Sequence, residues 1–128
     1  MTGASTRTVR APDGASLFYR AFAAAHGAEH GIPFVLLHAT LSASVQLVGV
    51  ARLLAAGGPV FALDRRGSGE SAMPAPRPLD VAVHVADVAA LLDAEEIAAA
   101  ILVGHSFGGV VALEVAARIP ERIRAVIA

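Results

Sequence analysis

Apolar residues run along this chain in two rhythms. Alternating stretches at 7–10 and Ser16–Phe22 flank Pro12-Asp13-Gly14, a turn sequence, and predict a β-hairpin. Residues 26–31 read as a loop. Short apolar runs at 34–38, Val60–Leu63, 99–103 and Ile123–Ile127 predict buried strands. Between them the period lengthens to that of a helix. Ser42 or Ser44 can cap a helix running to about Ala56, with Val45, Val48 and Leu53 on one face, and Gly57-Gly58-Pro59 ends it. Residues 65–78 form a loop rich in Gly, Ser and Pro. Asp80 can cap a second helix whose Val81, Val85, Val88 and Leu92 make one stripe. Phe107–Arg118 predicts a third. Strand and helix alternate after an antiparallel start, which predicts an α/β fold with three layers and a mostly parallel sheet.

The 128 residues suit a single domain with a modest core. The net charge of −1 and the 5% aromatic content give no basic or stacking surface for nucleic acid. Cysteine is absent, which excludes disulfides, thiolate catalysis and thiolate metal sites. Residues 32–51 and 97–113 lack Asp, Glu, Lys and Arg. The first is broken by Pro33, His38, Thr40, Ser42, Ser44 and Gln46, the second by Gly104-His105-Ser106-Phe107-Gly108-Gly109, so both read as strand followed by helix rather than as membrane spans. The polar N-terminus has no signal-peptide core. The expectation is a cytoplasmic protein with no cofactor, no metal, and no nucleic-acid or membrane partner.

Three segments carry candidate chemistry, each just after a predicted strand. Gly104-His105-Ser106-Phe107-Gly108 is a G-x-S-x-G sequence between a strand and a helix, the setting of a nucleophile elbow. The serine must sit on a sharp turn with its hydroxyl exposed, and Gly104 and Gly108 stand where a Cβ would collide with the turn. Ser106 is therefore the candidate nucleophile, with the backbone N–H of Phe107 as one donor to a developing oxyanion. A dinucleotide fingerprint needs glycine at position 106, and no Gly-Lys-Ser/Thr phosphate loop occurs. Leu36-Leu37-His38-Ala39-Thr40 ends the first of the later strands, and Thr40 or Ala39 can supply the second donor, Thr40 being preferred. His38 reads as a residue that satisfies loop backbone. Asp64-Arg65-Arg66-Gly67-Ser68-Gly69-Glu70-Ser71 reads as a structural loop in which Asp64 and Arg66 pair or bond loop backbone.

Together these ordered segments resemble the N-terminal half of an α/β-hydrolase fold protein of the esterase, lactonase and cofactor-free haloperoxidase type. The resemblance extends from about Arg7 to the end of the chain. It implies that strand 60–63 lies outside strand 34–38, which in turn neighbours the strand at 99–103. Two positions depart from the family pattern: Ala39 stands where glycine usually follows the histidine, expected to narrow or re-aim the oxyanion loop, and Ser68 stands where His, Tyr or Phe is common. Haloalkane dehalogenases and epoxide hydrolases of the family use an aspartate nucleophile, which Ser106 disfavours. The family places its acid and its histidine after later strands, and neither is recognisable here. His105 adjoins Ser106 but points away from it, His84 lies on an outer helix as a surface or packing residue, His26 and His30 lie in the loop after the hairpin, and Asp87 and Asp93 read as solvated or capping positions. The implied activity is a serine hydrolase acting on a small-molecule ester, lactone or related acyl substrate. The isolated chain is expected to be nearly inactive, with the sheet incomplete at its C-terminal edge. The alternative is a non-catalytic half-domain that complements a partner chain or self-associates.

Overall fold

The computed structural model describes residues 4–71, 73 and 80–128. The part of the predicted 65–78 loop at residues 72 and 74–78 lies outside the described residues. Strands β1 (Ser5–Arg10) and β2 (Ser16–Phe22) form the hairpin, closed by the Ala11 N–H and Gly14 N–H bonds to Ala15 O and Ala11 O. β3 (Phe34–Leu37), β4 (Val60–Leu63), β5 (Ala100–Gly104) and β6 (Ile123–Ile127) complete one six-stranded sheet in the order β1-β2-β4-β3-β5-β6. The hairpin joins antiparallel through β2 and β4, while β4–β3, β3–β5 and β5–β6 are parallel. This is the strand order that the family resemblance implied, with the hairpin at one edge and β6 at the other.

Helices cover both faces because the strands are apolar on both. Successive residues point to opposite sides of a strand. Val35, Leu37, Phe61 and Leu63 thus join a core with α2 (Val81–Ala94) and α3 (Phe107–Arg118), built on Val85, Val88, Leu91, Leu92, Val111, Ala112 and Val115. Leu36, Val60 and Ala62 face the other way, onto α1 (Val48–Leu54) through Ala51, Val48 and Leu54. Asp80 caps α2, its carboxylate accepting from the Ala82 N–H at 2.8 Å.

Two expectations about α1 are corrected. Ser42 and Ser44 do not cap it; Ser44 opens a single 3₁₀ turn, Ser44–Leu47, and is fully buried. Val45 and Leu53 do not share a packed face, being 52% and 79% exposed. A 3₁₀ turn advances about 120° per residue against about 100° in an α-helix. The stripe drawn for one continuous helix therefore loses its register at Leu47. Among the described residues no helix is long and apolar enough to cross a membrane.

Candidate active site

β5 feeds directly into α3 through His105 and Ser106, and the turn between them is sharp. Ser106 takes φ 55° and ψ −119°, a left-handed conformation that costs a non-glycine residue about 1–3 kcal/mol. The neighbouring glycines account for its tightness. A Cβ on Gly104 would lie 2.4 Å from Gly108 O, and one on Gly108 would lie 2.1 Å from Leu37 O and 2.7 Å from His38 O. Backbone is therefore pressed on backbone, and the elbow is seated on the end of β3, where the His105 N–H also bonds Leu37 O at 3.0 Å. Ser106 is exposed at the C-terminal end of the parallel strands, where open α/β sheets place their ligand sites.

The helix that follows begins with unsatisfied N–H groups. Those of Gly108 and Gly109 turn back to His105 O and Ser106 O, at 2.9 and 2.8 Å. The Phe107 N–H has no hydrogen-bond partner among the described residues, which leaves a donor beside the serine at the positive end of α3.

His38, at the end of β3, is buried and fixes the loops around the elbow. Its Nε2 accepts from the Arg65 N–H at 2.9 Å and its Nδ1 lies 2.7 Å from Ala39 O. Burial holds it below its ordinary pKa. Thr40, the next residue but one, is exposed at the turn. Asp64 is also buried, and its carboxylate gathers loop backbone: Ser44 N–H at 2.7 Å and Glu70 N–H at 2.9 Å.

Arg66 and Asp64 do not pair with each other. Arg66 is buried and forks between Asp13 in the hairpin turn and Asp87 on α2, with Nε and Nη2 reaching the two Asp87 oxygens at 3.0 and 2.7 Å. Hydrogen bonds to these two carboxylates raise its pKa further above the ordinary arginine value. Asp87 is thus not a solvated or capping position: it is 1% exposed and committed to Arg66. His84 is likewise enclosed, packed edge-on against the Phe107 ring at 5.8 Å between centroids. Burial first, then the charges of Arg65 and Arg66, push it down to about 4, so it is neutral at pH 7.

A cavity of about 560 Å³ opens beside the elbow, lined by Thr40, Leu41, Arg65, Met73, His84 and Phe107 among others. Ser106 is not among its lining residues; the serine stands next to it, one residue from Phe107. A second recess, lined by His38, Ala39, Leu41 and His105 among others, also reaches the elbow. Arg65 enters the site without having been singled out from sequence, and His84, read there as a surface or packing residue, lines the cavity as a packed one. The available signal for Arg65 was its position directly after a parallel strand, at the edge where ligands bind.

No hydrogen bond reaches the Ser106 hydroxyl among the described residues. His38 is occupied by backbone and His84 packs on Phe107. His30 lines a recess with Pro33, Pro59 and Ala98, next to the opposite, N-terminal ends of the parallel strands. The described residues also contain no group of three or more side chains suited to holding a metal ion.

This geometry has relatives. Residues 32–128 match the alpha/beta hydrolase fold family, and the chain belongs to that family. It is 38% identical to a non-heme chloroperoxidase of Streptomyces lividans over 103 residues, covering 80% of this chain and 36% of that protein. Lipase LipV of Mycobacterium tuberculosis is 41% identical over 69 residues, covering 54% of this chain and 26% of the lipase. Among solved structures, a hydrolase from Pseudomonas aeruginosa superposes with a TM-score of 0.86 at 32% identity, covering 96% of this chain and 45% of that one. An epoxide hydrolase from an endophytic Streptomyces gives 0.84 at 30% identity, covering 97% of this chain and 36% of that one. The chain therefore spans about a third or less of the length of these two curated relatives.

Proposed function

We propose that these residues form the nucleophile half of a serine hydrolase site acting on an ester, lactone or related acyl substrate. The observation that carries the reading is Ser106 at φ 55°, exposed between Gly104 and Gly108 and next in sequence to Phe107, which lines a cavity. In the complete reaction the Ser106 Oγ attacks the substrate carbonyl carbon as its proton passes to a general base. The carbonyl oxygen becomes an oxyanion facing the Phe107 N–H and the Thr40 turn. Collapse expels the alcohol, and water then releases the acid from the acyl-serine. No histidine hydrogen-bonds the Ser106 hydroxyl among the described residues, and the reading assigns the base to a histidine and acidic partner from outside these elements. Without them a serine hydroxyl is a poor nucleophile at neutral pH.

The test is labelling with an alkyl fluorophosphonate, mapped by mass spectrometry, with and without free imidazole as a surrogate base. The reading expects a single adduct on Ser106 whose formation imidazole accelerates. Labelling spread evenly over Ser42, Ser44, Ser68 and Ser106 counts against it. A second reading, that the segment acts as a half-domain joined to another chain, is favoured by β6. This strand pairs only with β5 among the described residues and leaves Ile127 55% exposed.

A further inference from the structure

Two adjacent arginines leave β4, and their surroundings differ. Arg66 is saturated by two carboxylates. Arg65, 5% exposed, has none among the described residues, where its only side-chain hydrogen bond runs from Nε to His38 O at 2.9 Å. No buried side-chain nitrogen among the described residues is left both unbonded and sealed from solvent. The two Nη groups of Arg65, which have no partner there, must therefore reach accessible surface, and the surface Arg65 lines is the cavity beside Ser106. The guanidinium carbon lies 5.0 Å from the centre of the Phe107 ring, which holds the fork against the first residue of α3. Burying a cation without a counter-charge is costly, and proteins rarely do so without a use for it.

We propose that Arg65 anchors a carboxylate on the substrate, so that the site takes acyl compounds bearing a second, anionic group. A planar fork with both Nη groups free matches the two oxygens of a carboxylate. Leu41, Met73 and Phe107 give the cavity an apolar part for the carbon skeleton of an organic acid, while Thr40, Ser42 and Ser68 line it with hydroxyls. His84, neutral and without a hydrogen bond among the described residues, offers one further polar contact in the same cavity. As a statement about substrate this rests on the hydrolase reading, but the anion site itself is tested by binding alone.

The experiment is an NMR titration of the 128-residue chain with butyrate, butyramide, chloride and phosphate, following the Arg65 Nε–H and the His84 ring. Butyrate should give saturable shifts at both groups in the millimolar range. Butyramide, chloride and phosphate should each bind at least about tenfold more weakly, since none offers a planar anionic fork joined to an apolar tail. Arg65→Gln should weaken butyrate by a similar factor. If that variant unfolds, Arg65→Lys, which keeps the charge and loses the fork, should show an intermediate loss. Ser106→Ala should bind butyrate like the parent, so failure of the nucleophile and failure of the anion site remain distinguishable. Equal binding of butyramide, or of chloride, or no saturable shift with butyrate, overturns the proposal.

Discussion

Replacing Arg66 by methionine leaves the Asp87 carboxylate in the interior with neither of its two donors, since among the described residues both oxygens are held by Arg66 alone, at 3.0 and 2.7 Å. Hydrogen bonds to charged groups contribute about 1.5–3 kcal/mol each, so two of them set a loss of about 3–6 kcal/mol. An alternative escape limits the upper end. Asp87 can take up a proton, and at pH 7 neutralising a carboxyl of ordinary pKa costs about 1.36 kcal/mol for each of about three pH units, or about 4 kcal/mol. The expected loss for Arg66→Met is therefore about 3–5 kcal/mol at pH 7, a large part of the stability of a small domain. The sign of its pH dependence follows. In the variant the folded-state pKa of Asp87 lies above the unfolded value, so the penalty grows as pH rises through it and shrinks as pH falls. By pH 5 the proton costs only about 1.5 kcal/mol, and the difference from the parent should narrow by about 2 kcal/mol. Asp13, the other partner, is about a third exposed, and water can replace its lost contact. Arg66→Met combined with Asp87→Leu removes both charges and should recover most of the loss. Urea unfolding followed by circular dichroism at pH 7 and pH 5 reads all of these. A single variant within about 1 kcal/mol of the parent, or a double variant no better than the single, would refute the reasoning.

Gly108→Ala sets a Cβ 2.1 Å from the Leu37 carbonyl, with backbone on both sides, and should lower stability by at least about 1–3 kcal/mol in thermal melts; an unchanged melt contradicts the packed elbow. His84, held down to about 4, should make the chain lose up to about 3 kcal/mol as pH falls from about 6.5 towards 4, because the unfolded chain takes up a proton that the folded one refuses. His84→Gln should flatten that window in urea titrations, and an identical pH profile would exclude this cause. The isolated chain should hydrolyse p-nitrophenyl esters within about tenfold of its Ser106→Ala variant, and brisk Ser106-dependent turnover would mean that a base within the chain has been overlooked. Sedimentation at several concentrations should reveal association through β6, whose Ile127 is more than half exposed; one concentration-independent monomer would refute it.

The sheet was largely legible because its signals are local. Short apolar runs punctuated by glycine and proline mark β3, β4 and β6 to within a residue, and Asp80 announces α2. The strand order is different: it followed from likeness to a family, since no local feature makes β4 lie outside β3. The elbow was legible because close backbone contact demands glycine at two positions on either side of one serine. The Arg66–Asp87 pair was not, because its members are 21 residues apart and a charged side chain ordinarily signals solvent. A weaker clue was present in α2. His84, Asp87 and Leu91 form a second stripe beside Val85, Val88 and Leu92, as expected of a helix buried over a wide arc between the sheet and α3. Arg65 was hidden for the same reason as Arg66. Val45 and Leu53 misled because a 3₁₀ turn leaves no mark in a hydrophobic pattern.

The central claim is that Ser106 is a nucleophile. It is tested most directly by intact-mass measurement after incubation with p-nitrophenyl butyrate. Deacylation also needs a general base, so an acyl-serine formed slowly on this chain should be long-lived. The account predicts one butyryl group per chain, located on Ser106 by peptide mapping and lost in Ser106→Ala. Acylation that survives Ser106→Ala undiminished, or falls on other residues while Ser106 stays free, would contradict it.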